Sequence, residues 1–233
     1  MSALTSDHSR STAAPRDRAD VAIVGAGAAG LVTAIWAART SPARRVVLLD
    51  GAERLGAKIL IAGGGRCNVT HDRVDASAFA GSSPNAIRKV LRRFDVPQTI
   101  SFFEALGVVL KREETGKLFP ATDRARTVLD ALVRAAKEAG VSILHPRRVD
   151  SVTPRPGGFE VAGSWGVVEV ERVVLATGGM SVPKTGSDGH GVRVARRSGH
   201  LAGPQCVATS IVFTQNGLVQ APRHGGSGIH FAG

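Results

Sequence analysis

Two glycine clusters and one carboxylate carry the chemical signal of this chain. Gly25, Gly27 and Gly30 stand in VAIVGAGAAG (21–30), directly after the apolar run Val21 to Val24. A strand ending in this spacing turns tightly at Gly25, lets backbone approach a pyrophosphate at Gly27 and lets a helix pack closely at Gly30. The first N–H groups of that helix, at Ala28 and Ala29, have no intrahelical partner and face the phosphates. A second apolar run, Val46 to Leu49, ends in Asp50. This carboxylate falls about twenty residues past the last glycine, where it accepts hydrogen bonds from a ribose 2′-hydroxyl. It also repels a 2′-phosphate, which argues against NADP in this site.

The other glycine cluster lies in KILIAGGGRCN (58–68), an apolar run that breaks into three consecutive glycines before Arg66, Cys67 and Asn68. Adjacent glycines let the backbone turn sharply and press its N–H groups against a flat or anionic ligand, and Arg66 and Asn68 supply donors beside it. Taken alone, the segment fits a glycine hinge equally well. Its position after a dinucleotide turn favours a ligand, and a cofactor as long as FAD needs backbone contacts beyond the first turn. VVLATGG (173–179) repeats the pattern of an apolar strand ending in a small-residue turn, so that Thr177 and Gly178 pass close to the cofactor.

These blocks resemble the bacterial BaiN/YhiN-type NAD(P)/FAD-dependent oxidoreductases, aminoacetone-oxidase-like flavoproteins. The resembling segments are GAGAAG (25–30), Asp50, KILIAGGGRCNVT (58–70), GKLFP (116–120) and ATGGMSVPKTGSDGHG (176–191), spread over residues 20 to 204. The resemblance implies an α/β fold of the two-dinucleotide type: a Rossmann-like FAD-binding domain with a parallel sheet and an inserted β-meander. It implies FAD held at its ADP half by Gly25, Gly27, Ala28, Ala29, Gly30 and Asp50. Lys58, Gly64, Gly65, Arg66, Asn68, Thr177 and Gly178 then frame the remainder, and the loop after Gly179 lies on the flavin side. In flavoproteins of this architecture the strand entering the meander touches adenine through its backbone, here near Val149, although that strand also reads as a plain edge. The expected activity is hydride transfer through flavin N5 to or from a small organic substrate, with NADH or NADPH as candidate reductant. No residue is singled out as general acid or base.

The family pattern stops near Pro204, and the C-terminal part of such proteins is expected to be missing. Residues 205–233 read as a non-family or truncated tail, in which GIHFAG faintly echoes a late flavin-contact motif. A second expectation is therefore a non-catalytic fragment that binds FAD weakly. The first nineteen residues are small, polar and Ser/Arg-rich, and are expected to be a disordered tail.

Composition narrows the partners. The 233 residues are 43% hydrophobic, enough for a core, with no apolar run long enough to span a bilayer. Two cysteines, Cys67 and Cys206, have no metal-ligand spacing, and a reducing cytoplasm is the simplest compartment. Cys67 has no neighbouring cysteine with which to exchange electrons, so it reads as a packed small residue rather than a redox thiol. The net charge of +11 invites nucleic acid, yet arginine pairs are scattered and aromatic residues make up only 4%. A helix near Pro84 carries Ile87, Val90, Leu91 and Phe94 on one side and Arg88, Lys89, Arg92 and Arg93 on the other, a pattern that reads as a solvated basic face. A small-molecule substrate, and neither nucleic acid, membrane nor metal, is expected.

The remaining elements are scaffold: a helix over 97–106, a strand over 108–110, a GKLFP strand end near the flavin, and a helix ending at Gly140 with Asp123 as its N-cap. Short strands are expected at 141–144, 148–153, 159–162, 167–171 and 207–214. His71 and His190 read as surface residues in turns.

Overall fold

Every residue from Val21 to Val24 and from Val46 to Leu49 is buried, as parallel strands covered on both faces must be. The computed structural model, which describes residues 17–79, 84–179, 188–198, 211–214 and 217–220, places them in β1 (Asp17–Val24) and β2 (Val46–Leu49). β1 pairs in parallel with β2, and on its other side with β9 (Gly166–Leu175); β2 pairs in parallel with β6 (Ser142–Leu144). Beyond β9 the antiparallel strands β10 (Ile211–Thr214) and β11 (Gly217–Gln220) continue the sheet.

Side chains that alternate along these strands feed two cores, one on each face. Val21, Ile23, Val46 and Leu48 join the helices α1 (Ala28–Thr40) and α5 (Ala125–Glu138). Ala22, Val24, Val47 and Leu49 face the meander and α6 (His190–Arg197). On α5 the buried residues Ala125, Val128, Leu129, Leu132, Ala135 and Ala136 recur at helical spacing. The aliphatic face of α1 follows the same rule through Leu31, Ile35 and Ala38. Next to α1, α4 (Val96–Ala105) starts on a reciprocal cap: Asp95 accepts from the Gln98 N–H and the Gln98 side chain accepts from the Asp95 N–H, both at 2.9 Å. It brings Phe102 under Trp36, with ring centroids 6.3 Å apart.

The meander is β7 (Ser151–Arg155), β8 (Gly158–Gly163) and the first half of β9. The strands expected at 167–171 and 173–175 form one uninterrupted strand, because Glu171 and Arg172 bring no turn chemistry between them. Its first half pairs with β8 and its last residues pair with β10, while β1 flanks it throughout. A second, three-stranded sheet sets β3 (Thr70–His71), β5 (Lys117–Pro120) and β4 (Leu110–Arg112) antiparallel. In sequence, α2 (Ala57–Gly65) lies between β2 and β3, and α3 (Pro84–Leu91) lies between β3 and β4.

Two local expectations are corrected. Asp123 does not cap α5, whose N-cap is Arg124 without a side-chain bond; Asp123 has φ +53° and turns its carboxylate to Lys111. Expected at 148–153, the strand begins only at Ser151, since the preceding backbone leaves the sheet to run beside Asp50. Residues 1–16 and most of the tail, GIHFAG included, lie outside the described residues. Among those described, no helix is long and apolar enough to cross a membrane.

Leu132, 1% exposed in the first core, has no room to be replaced by solvent. Leu132→Ala is expected to cost about 2–5 kcal/mol in denaturant unfolding, whereas a loss below about 1 kcal/mol would show that α5 is loosely packed.

Candidate functional site

Backbone meets backbone where β1 ends. Gly25 has φ +105°, and a Cβ there would stand 2.6 Å from the Ala176 carbonyl oxygen. A Cβ at Gly30 would stand 1.7 Å from the Gly25 carbonyl oxygen. Both glycines are therefore required by the protein's own packing. Gly27 differs: its φ is −79° and nothing lies within 4 Å of an added Cβ. Packing does not demand a glycine at 27, and the space above it is open at the start of α1. That helix has no side-chain cap, and its first intrahelical bond runs from Leu31 N–H to the Gly27 carbonyl. The N–H groups of Ala28 and Ala29 thus border an open space with the positive end of the helix dipole behind them, a ready site for a phosphate.

Asp50 has a second task that its spacing did not disclose. Its Oδ2 accepts from the Ala26 N–H at 2.5 Å and its Oδ1 from the Ala52 N–H at 2.7 Å. The carboxylate fixes the glycine turn and its own loop, yet keeps free lone pairs for a ribose hydroxyl. Its backbone carbonyl accepts from the Arg147 N–H at 2.6 Å, which draws the segment leading to Val149 alongside.

Val149 is buried, and its carbonyl accepts from the His190 Nε2–H at 2.6 Å. This corrects the expectation for His190: it is half-buried as the first residue of α6 rather than a surface turn residue. Asp188 secures the same corner by accepting from the His190 N–H at 2.9 Å and from Arg148 at 2.8 Å. Burial works against ionisation of Asp188, but those two hydrogen bonds and the neighbouring positive charge hold its carboxyl below the usual range. The ATGG turn closes the group: Thr177 lies against both Gly25 and Gly191, and Gly178 has φ +75°. Residues 180–187 of the loop expected on the flavin side lie outside the described residues.

The second cluster is a helix end, not a simple loop. α2 is helical through Ile61, breaks at Ala62 (ψ 140°), and continues through Gly63, Gly64 and Gly65 at φ +57°, +69° and +87°. This left-handed turn is open on one side, with nothing within 4 Å of a Cβ at Gly64. Its other side rests on Phe119, 2.7 Å from where a Cβ of Gly63 would lie. The Arg66 guanidinium stands 4.1 Å from the centroid of the same ring and donates to Glu113. Phe119 lies within GKLFP, the strand end expected near the flavin, whereas Glu113 was marked by no motif. Arg66 keeps further donors after this pairing, and Asn68 is exposed. Burial pushes the Lys58 ammonium down from its ordinary pKa. Ala26, Ala176, Ile59 and Cys67 share one core, which ties this turn to the first through packing.

Cys67 is 7% exposed, and burial pushes its thiol up to about 11. At neutral pH it is a neutral packed group, not a nucleophile. His71 sits in β3 with its ring Nε2 2.9 Å from the Thr115 carbonyl oxygen.

A family model described as the HI0933-like protein Rossmann domain matches residues 19–215. The chain is 37% identical over 184 residues to a 3-dehydro-bile acid delta(4,6)-reductase of Clostridium scindens, covering 79% of this chain and 45% of the relative. It is 33% identical over 208 residues to a ribosomal RNA dihydrouridine synthase of Escherichia coli, covering 89% and 49%. It thus spans about half the length of these curated relatives. Among solved structures, the 3-ketosteroid-delta4-(5alpha)-dehydrogenase of Rhodococcus jostii superposes with a TM-score of 0.54 at 19% identity, over 74% of this chain and 48% of that one. The fold is the α/β, Rossmann-like FAD-binding type, with a mostly parallel sheet.

The two kinds of glycine separate in experiment. Gly27→Ala is expected to change unfolding free energy by no more than about 1 kcal/mol while weakening FAD roughly ten- to hundredfold by crowding its phosphates. Gly30→Ala is expected to destabilise the fold itself; equal stability losses for both would contradict the distinction. In a Cys206→Ser background, native Cys67 is expected to resist a thiol reagent at neutral pH and to react once unfolded. Its raised pKa adds stability that is complete below about pH 9, where the unfolded thiol ionises, and is lost as pH rises through about 11. Cys67→Ala should remove that alkaline decline in thermal melts.

Proposed function

Because the chain belongs to the HI0933-like Rossmann family, we propose that it is the FAD-binding part of an oxidoreductase that saturates a carbon–carbon double bond conjugated to a carbonyl. The observation that carries the cofactor is the open space over Gly27, bordered by uncapped N–H groups and the Asp50 carboxylate. Support for the reaction comes from the relatives' names: delta(4,6)-reduction of a 3-dehydro bile acid and formation of dihydrouridine both add hydrogen across such a bond.

Bound FAD supplies the two-electron step by hydride transfer at flavin N5, with NADH or NADPH as reductant. The chain's own residues bind and orient. Gly27, Ala28 and Ala29 take the pyrophosphate, Asp50 the ribose, and the backbone at Val149 the adenine. His190 holds the Val149 carbonyl in place. The left-handed turn at Gly64 and Gly65, with Lys58, Arg66 and Asn68 around it, receives the flavin side together with Thr177 and Gly178. Phe119 and Glu113 fix the Arg66 guanidinium so that it meets the ligand pre-oriented. Neutral Cys67 fills the wall behind. The bound substrate is a small organic molecule or a single base, and the working compartment is the cytoplasm.

A second reading is that this chain by itself binds FAD without turning substrate over. Purified chain is expected to show visible flavin absorption after FAD is added and free cofactor removed. Anaerobically reduced chain is then mixed with a conjugated enone steroid or a uridine-containing RNA. Reoxidation by either supports the reductase, bound flavin that neither acceptor reoxidises supports the second reading, and absence of flavin absorption overturns both.

A further inference from the structure

We propose that the outward face of α3 is a binding surface for the phosphodiester backbone of RNA. Asn85, Arg88, Lys89, Arg92 and Arg93 are exposed and line one shallow depression. From the sequence pattern this is a solvated basic face; the structure adds two facts that change its meaning.

The first is where the negative charge goes. Arg18, Arg66, Lys111, Arg112, Arg148 and Arg155 each lie against a carboxylate. Among the described residues, neither Arg88 and Lys89 in α3 nor Arg92 and Arg93 in the turn after it do, and although other cations such as Arg39 and Arg44 also lack one, none gathers so densely. Arg88 is instead oriented by its own helix, donating to the Asn85 side-chain oxygen at 2.6 Å and to the Pro84 carbonyl at 3.3 Å. Four uncompensated cations fall within six consecutive residues, across the last turn of α3 and the turn that follows it. Like charges at i,i+4 destabilise a helix, so the cluster carries a cost that a polyanion would relieve. Guanidinium groups suit phosphate oxygens in particular, because their planar fork pairs two donors with them.

The second fact is the other side of the helix. Ile87 is buried, and Phe94 just beyond the helix stacks edge-on with Phe102 at 6.1 Å and with Trp36 at 6.4 Å. The apolar stripe is therefore spent inside the protein. An amphipathic helix that binds a bilayer must insert that stripe among acyl chains, and α3 has none to offer. What remains outward is charge alone, which fits a hydrated polyanion.

The choice of RNA rests on the proposed reduction of a conjugated double bond, one acceptor class being a uracil ring within RNA. The surface itself needs neither flavin nor turnover. A failed RNA titration thus leaves flavin reoxidation by an enone intact, and a failed reoxidation leaves the titration readable.

The test is fluorescence anisotropy of a labelled single-stranded RNA with the full chain between roughly 50 and 200 mM KCl. Four phosphate contacts give a slope of log affinity against log salt of about −3. The variant R88Q/K89Q/R92Q/R93Q is expected to flatten that slope by about 3 and to weaken binding tenfold or more at low salt. A charge-matched variant, R39Q/R44Q/R45Q/K137Q, removes four exposed cations elsewhere and should shift the slope by less than about 1; circular dichroism of both checks the fold. Equal effects of the two variants, no RNA binding by the parent chain, or binding only to vesicles of phosphatidylcholine and phosphatidylserine would each overturn the proposal.

Discussion

The fold turns on a place where two stretches of backbone touch without side chains between them. At the end of β1, Gly25 lies against Ala176 and Thr177, and the Gly25 carbonyl oxygen occupies the position a Cβ of residue 30 would need. This contact sets the distance between β1 and β9 and the depth at which α1 enters. Asp50 then ties the end of β2 to the same turn through the Ala26 N–H. Four elements converge on one point, and their convergence leaves the open space over Gly27. That opening arises from the way the sheet closes, before any ligand-specific residue is needed.

Electrostatics follow a similar division. Most carboxylates around the candidate site serve the protein first. Asp50 binds backbone N–H groups, Asp188 holds Arg148 and the start of α6, and Glu113 holds Arg66. Such pairings leave the turn at Gly63 to Gly65 with oriented donors beside it and the corner at Val149 with a fixed carbonyl. Cations such as Arg39 and Arg44 also lie against no carboxylate among the described residues, but the densest group, four within six residues, is at Arg88 to Arg93.

Much of this was legible in the sequence, and the reasons are specific. The strand, the three glycines, the helix and Asp50 lie close together in the chain, so that local spacing determines their geometry. The two faces of β1 and β2 could be read from unbroken apolar runs. What spacing did not show were contacts made across the fold: Asp50 on Ala26, His190 on the Val149 carbonyl, Phe119 beneath Gly63 and Arg66. His190 looked like a turn residue because glycines flank it, yet Gly189 with φ +71° is the N-cap of α6, so one glycine starts a helix rather than prolonging a loop. Asp123 carried the chemistry of a cap but was drawn to a cation on another strand. GGGRCN read as a glycine turn because glycine is a poor helix former, and the backbone bears this out: helical geometry ends before Ala62, and Gly63 to Gly65 form a left-handed turn.

At the centre stands the claim that the turn at Gly25–Gly30, with Asp50, holds the ADP half of FAD. A competition titration followed by flavin fluorescence addresses it most directly, with FAD bound to the chain and either ADP or FMN added. The account predicts that ADP displaces FAD and that FMN, which lacks the adenosine half, does not. Displacement by FMN with no effect of ADP would contradict it.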